Sequence, residues 1–531
     1  MPDPWDYIVV GAGSAGCVLA NRLSADRRNR VLLLEAGEPA RTVWLHIPAG
    51  YARTIGNPRT DWCLTTEPEP QLDGRRIPFP RGKGPGGSSA INGMIYTRGH
   101  ARDYDGWRQL GCTGWDWNGV LPYFKRSEDF QDGASATHGA GGPLRVERQR
   151  VHWPFLDAFA AAARETGLPQ NDDFNAGETE GVGPYHATQR RGRRCSAAAF
   201  LAPARGRPNL RILTAAQTTG LVLDGRRVTG VRYRRDGAER TADAARAVLL
   251  AAGVVHSPQI LELSGIGDPA VLAAAGIAVR HALPGVGANL QDHLQARLVY
   301  RLNGVRTLNQ RAGSRPGRVG LALQYALTRS GPLAGAPAPL GIFARSDPRR
   351  GWPDLQYHLV PYSADRIGGT PHPFPGVTLS VCQLRPESRG SIHIRSADPA
   401  DPPAIRANYL AAEEDRRTML AAVRHARALM AARALAALAP QEVTPGPAAT
   451  ADDAILAAVR ATATTIFHPV GTCRMGTDAG AVVDPQLRVH GLDGLRVVDA
   501  SVMPTVPSAN TNAPTMMIAE KAADMIVTEA R

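Results

Sequence analysis

The chain has 531 residues, 43% of them hydrophobic and 21% charged, with 55 glycines and 42 prolines. That composition sets aside disorder, collagen and coiled coil and leaves a globular, loop-rich protein of about two to four domains. A formal charge of +13 invites a nucleic-acid or membrane-surface partner, but the basic residues are dispersed, only Lys83, Lys125 and Lys521 are lysines, and no basic stripe with interleaved aromatics occurs, so the charge reads as a solvated, arginine-biased surface.

The six cysteines lack metal-ligand spacing and read as free thiols of a reducing compartment, so no metal is expected. There is no signal-peptide pattern and no run of about 18 apolar residues. A cytoplasmic location without a membrane span follows as the expectation, with peripheral attachment left open.

In chain order, the first predicted unit is an apolar run, Tyr7 to Val10, leading into Gly11-Ala12-Gly13-Ser14-Ala15-Gly16. After an amphipathic segment a second apolar run, Val31 to Leu34, ends on Glu35-Ala36-Gly37. This is a βαβ unit with a dinucleotide fingerprint. Gly11 permits the tight turn, Gly13 the approach of a pyrophosphate, and Gly16 close packing of helix on sheet. The helix start at Ser14 and Ala15 offers free N–H groups to phosphate, and Glu35, roughly twenty residues on, is placed to accept from ribose hydroxyls. The fingerprint alone does not choose between NAD and FAD.

Residues 38 to 80 form a long, Pro- and Gly-rich loop of the kind that wraps a ligand. A second glycine cluster runs from Arg81 to Met94; its Gly82, Gly86, Gly87 and Ser89 let backbone approach a flat or charged ligand, and its N–H groups can form an anion nest. A helix is predicted from Phe155 to Glu165, a hairpin turning at Asp224-Gly225, a strand from Ala247 to Leu250, and a helix opened by Ser257-Pro258 and closed at Leu263. Runs such as Leu355 to Val360 and Val377 to Leu384 predict an antiparallel sheet, with an alanine-rich helix near Arg416 to Leu438.

The last 70 residues carry Phe467-His468-Pro469-Val470-Gly471, a strand from Leu495 to Ser501 that includes Asp499 and Ala500, and Asn510-Thr511-Asn512-Ala513-Pro514 before a final helix to about Thr528. Its positive N-terminal end is aimed to meet negative charge.

At this point the chain resembles the glucose-methanol-choline (GMC) flavoprotein oxidoreductases. Seven motifs carry the resemblance in order: GAGSAG with VLLLEAG, GKGPGGSSAINGM, SPQILELSGIG, GVGANLQDH, HPVGTCRMG, VVDASVMP and NTNAPTMMIAEKAADMI. It implies an α/β fold with a discontinuous, Rossmann-like FAD-binding domain and an α+β substrate domain on a mostly antiparallel sheet. On that pattern FAD binding is expected of residues 1–155, 196–300 and 461–531, and substrate binding of 156–195 and 301–460.

The resemblance makes His468 the active-site base and Asn512 its partner, with Phe467 against the substrate. It places Asn92, Gly93 and Met94 along the isoalloxazine and makes Trp62, Thr218, Asp499, Ala500, Asn510 and Thr511 further FAD contacts. Ile91 stands where some members attach FAD through a histidine, so FAD is expected to be non-covalent. Pro85 replaces a larger apolar residue, and a proline lacks the N–H such a nest would use.

The implied reaction is oxidation of a primary alcohol (aliphatic, aryl or furanic) to the aldehyde, by proton transfer to His468 and hydride transfer to FAD, with oxygen, a quinone or another acceptor taking the electrons. Choline-type oxidation of a quaternary-ammonium alcohol is the alternative. A nicotinamide dehydrogenase and a nucleic-acid-binding flavoprotein without turnover are the rivals outside it; the first has no account of the C-terminal His/Asn constellation, and the second calls for salt-sensitive nucleic-acid binding with no bleaching of flavin by any alcohol. Of the remaining histidines, His293 in the Asn289 to His293 turn is the one to test.

Overall fold

Apolar runs without polar alternation form strands buried on both faces. Trp5–Val10 (β1) and Val31–Leu34 (β2) lie side by side in parallel in such a sheet, joined through the helix Ser14–Leu23 (α1). The computed structural model describes residues 4–39 and 41–529. The later elements that place the site are, in order, Gly181–Pro184 (β3), Leu210–Leu213 (β4), Gln217–Asp224 (β5), Arg227–Arg235 (β6), Ala238–Leu250 (β7), the helix Gly253–Leu263 (α2), Leu294–Arg301 (β8), the helix Arg315–Thr328 (α3), Leu340–Ala344 (β9), Leu355–Val360 (β10) and Gly376–Gln383 (β11). The helix Glu413–Met430 (α4), Gln441–Thr444 (β12), Leu495–Val497 (β13) and the helix Asn512–Glu529 (α5) complete them.

The first sheet has the parallel order β4-β2-β1-β7, with β13 also parallel to β7. Strand β7 is long, and its first half pairs antiparallel with the hairpin β5–β6, which turns at Asp224-Gly225 as predicted. The second sheet is antiparallel throughout, in the order β12-β8-β11-β10-β9-β3. The parallel sheet therefore draws on three separated parts of the chain.

Several boundaries differ from expectation. Strand β8 falls within the segment 196–300 expected to bind nucleotide, but it pairs in the antiparallel sheet. Seven of its eight residues are not exposed, so its sequence reads like a strand of the parallel sheet. Strand β7 starts at Ala238 because its first half, mostly exposed and so without an apolar run, pairs with β6 of the hairpin. The last strand stops at Val497, since Asp499 accepts from Ser501 N and starts a short 3-10 turn, Ala500–Val502. Helix α4 stops at Met430, and a 3-10 segment, Arg433–Leu438, follows it.

Helix α5 packs on α1. The Glu520 side chain is fully buried there and takes two hydrogen bonds from Arg22, at 2.7 and 2.8 Å. A buried, bidentate pair of this kind fixes register, since breaking one partner leaves a charge without water.

Candidate active site

A cavity of 660 Å³ runs from the C-terminal ends of β1 and β2 to the face of the antiparallel sheet at β8, β10 and β11. At the first end Gly11 has φ +99°, and a Cβ on Gly16 would lie 1.8 Å from the Gly11 carbonyl oxygen, so turn and helix are in backbone contact. At Gly13 a Cβ would meet protein no closer than 3.9 Å. What a side chain there would obstruct is the cavity itself, which is where a pyrophosphate needs the backbone bare.

Glu35 does more than the fingerprint predicts. Its carboxylate accepts from Ala12 N at 2.8 Å, Gly37 N at 2.8 Å and Gly84 N at 2.9 Å, and so ties the first glycine turn to the second glycine cluster. Burial pushes its carboxyl above the usual range, opposed by those three N–H donors and by Lys83. A carboxylate has about four acceptor sites, so room remains for a ribose hydroxyl. Thr218 Oγ1 borders the same cavity, buried and without a partner among the described residues.

The other end is built on Asp292. The short strand Thr464–Thr465 pairs with the start of β8 and brings His468 beside His293. Asp292 Oδ1 accepts from the backbone N of His293 at 2.9 Å and of His468 at 2.8 Å, while Oδ2 accepts from Tyr409 Oη at 2.6 Å and from Thr465 Oγ1. One buried carboxylate thus holds the backbone beneath both imidazoles. Immediately before His468, Phe467 adopts φ +70°, a strained conformation for an aromatic residue, with its carbonyl bound by Arg81.

The hydrogen bonds fix the tautomers. His293 Nε2 is 3.1 Å from the Leu384 carbonyl, which only accepts, so Nε2 carries the proton and Nδ1 is bare. His468 Nδ1 lies 3.1 Å from that bare nitrogen and must donate to it. The Nε2 of His468 is therefore unprotonated. It faces Asn510 Nδ2 at 2.9 Å, and the amide is oriented by Thr97 Oγ1 and Gln356 Nε2, which donate to Asn510 Oδ1 at 3.0 and 3.2 Å. Burial lowers the His468 pKa well below 6.5, helped by His293, His358 and Arg81; burial also brings His293 down to about 4. His358 on β10 borders the cavity with both ring nitrogens buried and unpartnered among the described residues.

All the residues expected to contact FAD, substrate or the reacting atoms border this cavity except Gly86 and Ser89, while Gly16, Pro85, Ile91 and His293 do not line it. Gly86 and Ser89 brace the loop behind it: Ser89 Oγ donates to Gly86 O and accepts from Ala197 N, and Gly86 N donates to Ala12 O. The two asparagines exchange places relative to expectation. Asn512, expected beside His468, is the first residue of α5 and accepts from Ser14 Oγ at 2.8 Å, whereas Asn510, expected on the cofactor, contacts the imidazole. Asp292, Thr97, Gln356 and His358 were not picked from the sequence; of these only Asp292 sits in a motif that drew attention.

GMC oxidoreductase family models match residues 5–295 and 386–519. The chain belongs to the GMC oxidoreductase family. It is 45% identical, over 529 residues, to an alcohol dehydrogenase (acceptor) of Pseudomonas putida, covering 98% of this chain and 96% of the relative. It is 42% identical, over 535 residues, to the mitochondrial choline dehydrogenase of Homo sapiens, covering 99% and 90%. Among solved structures, pyridoxine 4-oxidase from Mesorbium loti superposes with a TM-score of 0.89 at 32% identity, covering 99% of both chains.

This GMC oxidoreductase is an FAD-dependent enzyme acting on CH–OH groups. Its cavity fits the cofactor. The bare backbone at Gly13, the unpartnered Thr218 hydroxyl and the remaining acceptor site of Glu35 suit a pyrophosphate and an adenosine, and the cavity continues from there to His468.

Proposed function

We propose that the enzyme oxidises a neutral primary alcohol, aliphatic, aryl or furanic, to the aldehyde, with His468 Nε2 as the base and Asn510 as its partner. The unprotonated Nε2, enforced through His293 and Leu384, is the observation that carries this reading. When bound, FAD supplies the hydride acceptor. The alcohol hydroxyl enters between Nε2 and the Asn510 amide, donating to the first and accepting from the second. Because burial keeps His468 neutral, no proton has to leave it before it receives the one from the alcohol. Asn512 and Ser14, paired with each other, serve the cofactor side.

The only acidic residues bordering the cavity among the described residues are Glu35 and Asp499. Glu35 is held by three N–H groups, and Asp499 accepts from Gly253 N, Ser257 Oγ and Ser501 N. At the substrate end Arg297 borders the cavity, its guanidinium bound to the carbonyls of Ala364 and Asp365. A quaternary ammonium would find a cation there and no carboxylate, which weighs against choline. Trp44, Tyr51, Tyr362 and Phe467 provide apolar surface for an alkyl or aryl chain. Ile91 is buried and has no nucleophilic atom, in keeping with non-covalent FAD.

Anaerobic mixing of the holoenzyme with 1-alkanols, benzyl alcohol and choline tests the reading through bleaching of the flavin bands. Bleaching by the neutral alcohols, at least about tenfold faster than by choline, is expected. Bleaching by choline alone overturns the substrate class, and bleaching by none overturns the activity. Admitting air or a quinone analogue then distinguishes the acceptors, and a yellow supernatant after acid precipitation checks that FAD is not covalently attached.

A further inference from the structure

The net charge of +13 is distributed less evenly than its dispersed arginines imply. Between Asp292 and Asp347 the chain has no acidic residue and eight arginines, and between Glu38 and Asp61 it has none against three. These two stretches account for eleven of the thirteen net charges. They also form the mouth of the cavity: the exposed residues on its wall are Trp44, Arg53, Arg318, Ala322 and Gly368, and all but Gly368 belong to them.

Helix α3 lies within the longer stretch and buries only Leu321 and Tyr325. Val319, Leu323 and Leu327, four residues apart, form an outward stripe exposed to 57, 56 and 81%. Val43 and Trp44 are exposed on the shorter stretch. Of the eight large apolar side chains exposed among the described residues, five are therefore on the mouth segments. The arginines around them meet uncharged partners: Arg311 bonds Gln324, Arg318 bonds the Ala312 carbonyl, Arg329 lies over Tyr325 and Arg53 over Trp44.

We propose that this face docks on an anionic phospholipid surface. Val43, Trp44, Val319, Leu323 and Leu327 enter the headgroup boundary, and Arg311, Arg315, Arg318 and Arg329 meet lipid phosphates. Charge alone would serve a soluble polyanion equally well, but an outward apolar stripe ringed by arginine matches the layered chemistry of a lipid interface. No helix among the described residues is long and apolar enough to cross a membrane, so the contact is with one leaflet. The cavity would then open onto lipid. On the alcohol-oxidation reading, an apolar alcohol or a lipid-dissolved acceptor would reach His468 without crossing water; the docking itself does not depend on that reading.

Flotation of the holoenzyme with vesicles of phosphatidylglycerol and phosphatidylcholine, against phosphatidylcholine alone, tests the proposal. Binding to the anionic vesicles only is expected, weakening between about 0.1 and 1 M salt as the charges are screened. Leu323→Glu with Leu327→Glu should lower vesicle affinity at least about tenfold, and Arg311→Glu with Arg315→Glu should do likewise. Both double variants should keep their flavin content, melting temperature and turnover of a water-soluble alcohol with a soluble dye. The proposal is overturned if the wild type stays unbound to anionic vesicles or if either folded variant floats as the wild type does. Retention on heparin without flotation would instead assign the face to a soluble polyanion.

Discussion

Replacing His468 by alanine removes the one unprotonated ring nitrogen that faces Asn510 and leaves the glycine turns untouched. Flavin content should therefore stay at the wild-type level, while stopped-flow reduction by alcohol slows at least about 10²-fold. Asn510→Ala should also slow reduction, by a smaller factor, because it orients the oxygen and takes no proton. Asn512→Ala should act first on FAD retention, through the lost contact to Ser14. Because the neutral form of His468 is held well below pH 6.5, the pH profile of kcat/KM should show no inflection near 6.5; a fall centred there would mean an imidazole reached by water. The place of His468 in the cavity could be read from its motif, whereas the asparagine beside it could not. The segment Asn510-Thr511-Asn512 offers two asparagines two positions apart, and neither spacing nor propensity ranks them. What separates them is Thr97, 413 positions away, whose hydroxyl bonds both the backbone N and the side-chain oxygen of Asn510.

At the scale of elements, the turn between β1 and α1 is held from outside by Glu35. Glu35→Ala leaves the N–H groups of Ala12, Gly37 and Gly84 without acceptors, each a cost of about 1–3 kcal/mol where water cannot enter. The expected outcome is a lower melting temperature and faster FAD release by fluorescence, with the order of preferred alcohols unchanged. A changed order would mean that the adenosine end reaches the substrate. The βαβ unit could be read from the sequence because its period and its glycines both answer to local geometry. Strand β8 cannot be placed from the sequence for the converse reason: burial on both faces is shared by a parallel strand and by the middle of a covered antiparallel sheet, and only pairing with β11 and β12 distinguishes them.

For the molecule as a whole, acid should be the weak side. His293, His358 and His468 are buried, and their pKa values lie at about 4, about 3 and well below 6.5. Their unfolded values are near 6.5, so below that pH the unfolded chain binds more protons and the fold loses stability. The loss begins as pH falls through about 6.5 and continues to about 4 for His293 and about 3 for His358, at about 1.4 kcal/mol per pH unit for each group. Calorimetry at descending pH should show the melting temperature falling over that window, and a flat profile would mean that these imidazoles are hydrated in the fold.

Helix α5 and strand β13 have one more consequence, for biosynthesis. They complete the sheet begun by β1 and the helix layer begun by α1, with Arg22 and Glu520 joined across 498 positions. A ribosome-bound chain that has not yet released these last elements has its glycine turn made but neither Asn510 nor Asn512 in place. Stable FAD loading is thereby expected to await residues 495–529, and a chain truncated before Leu495 should purify without flavin colour.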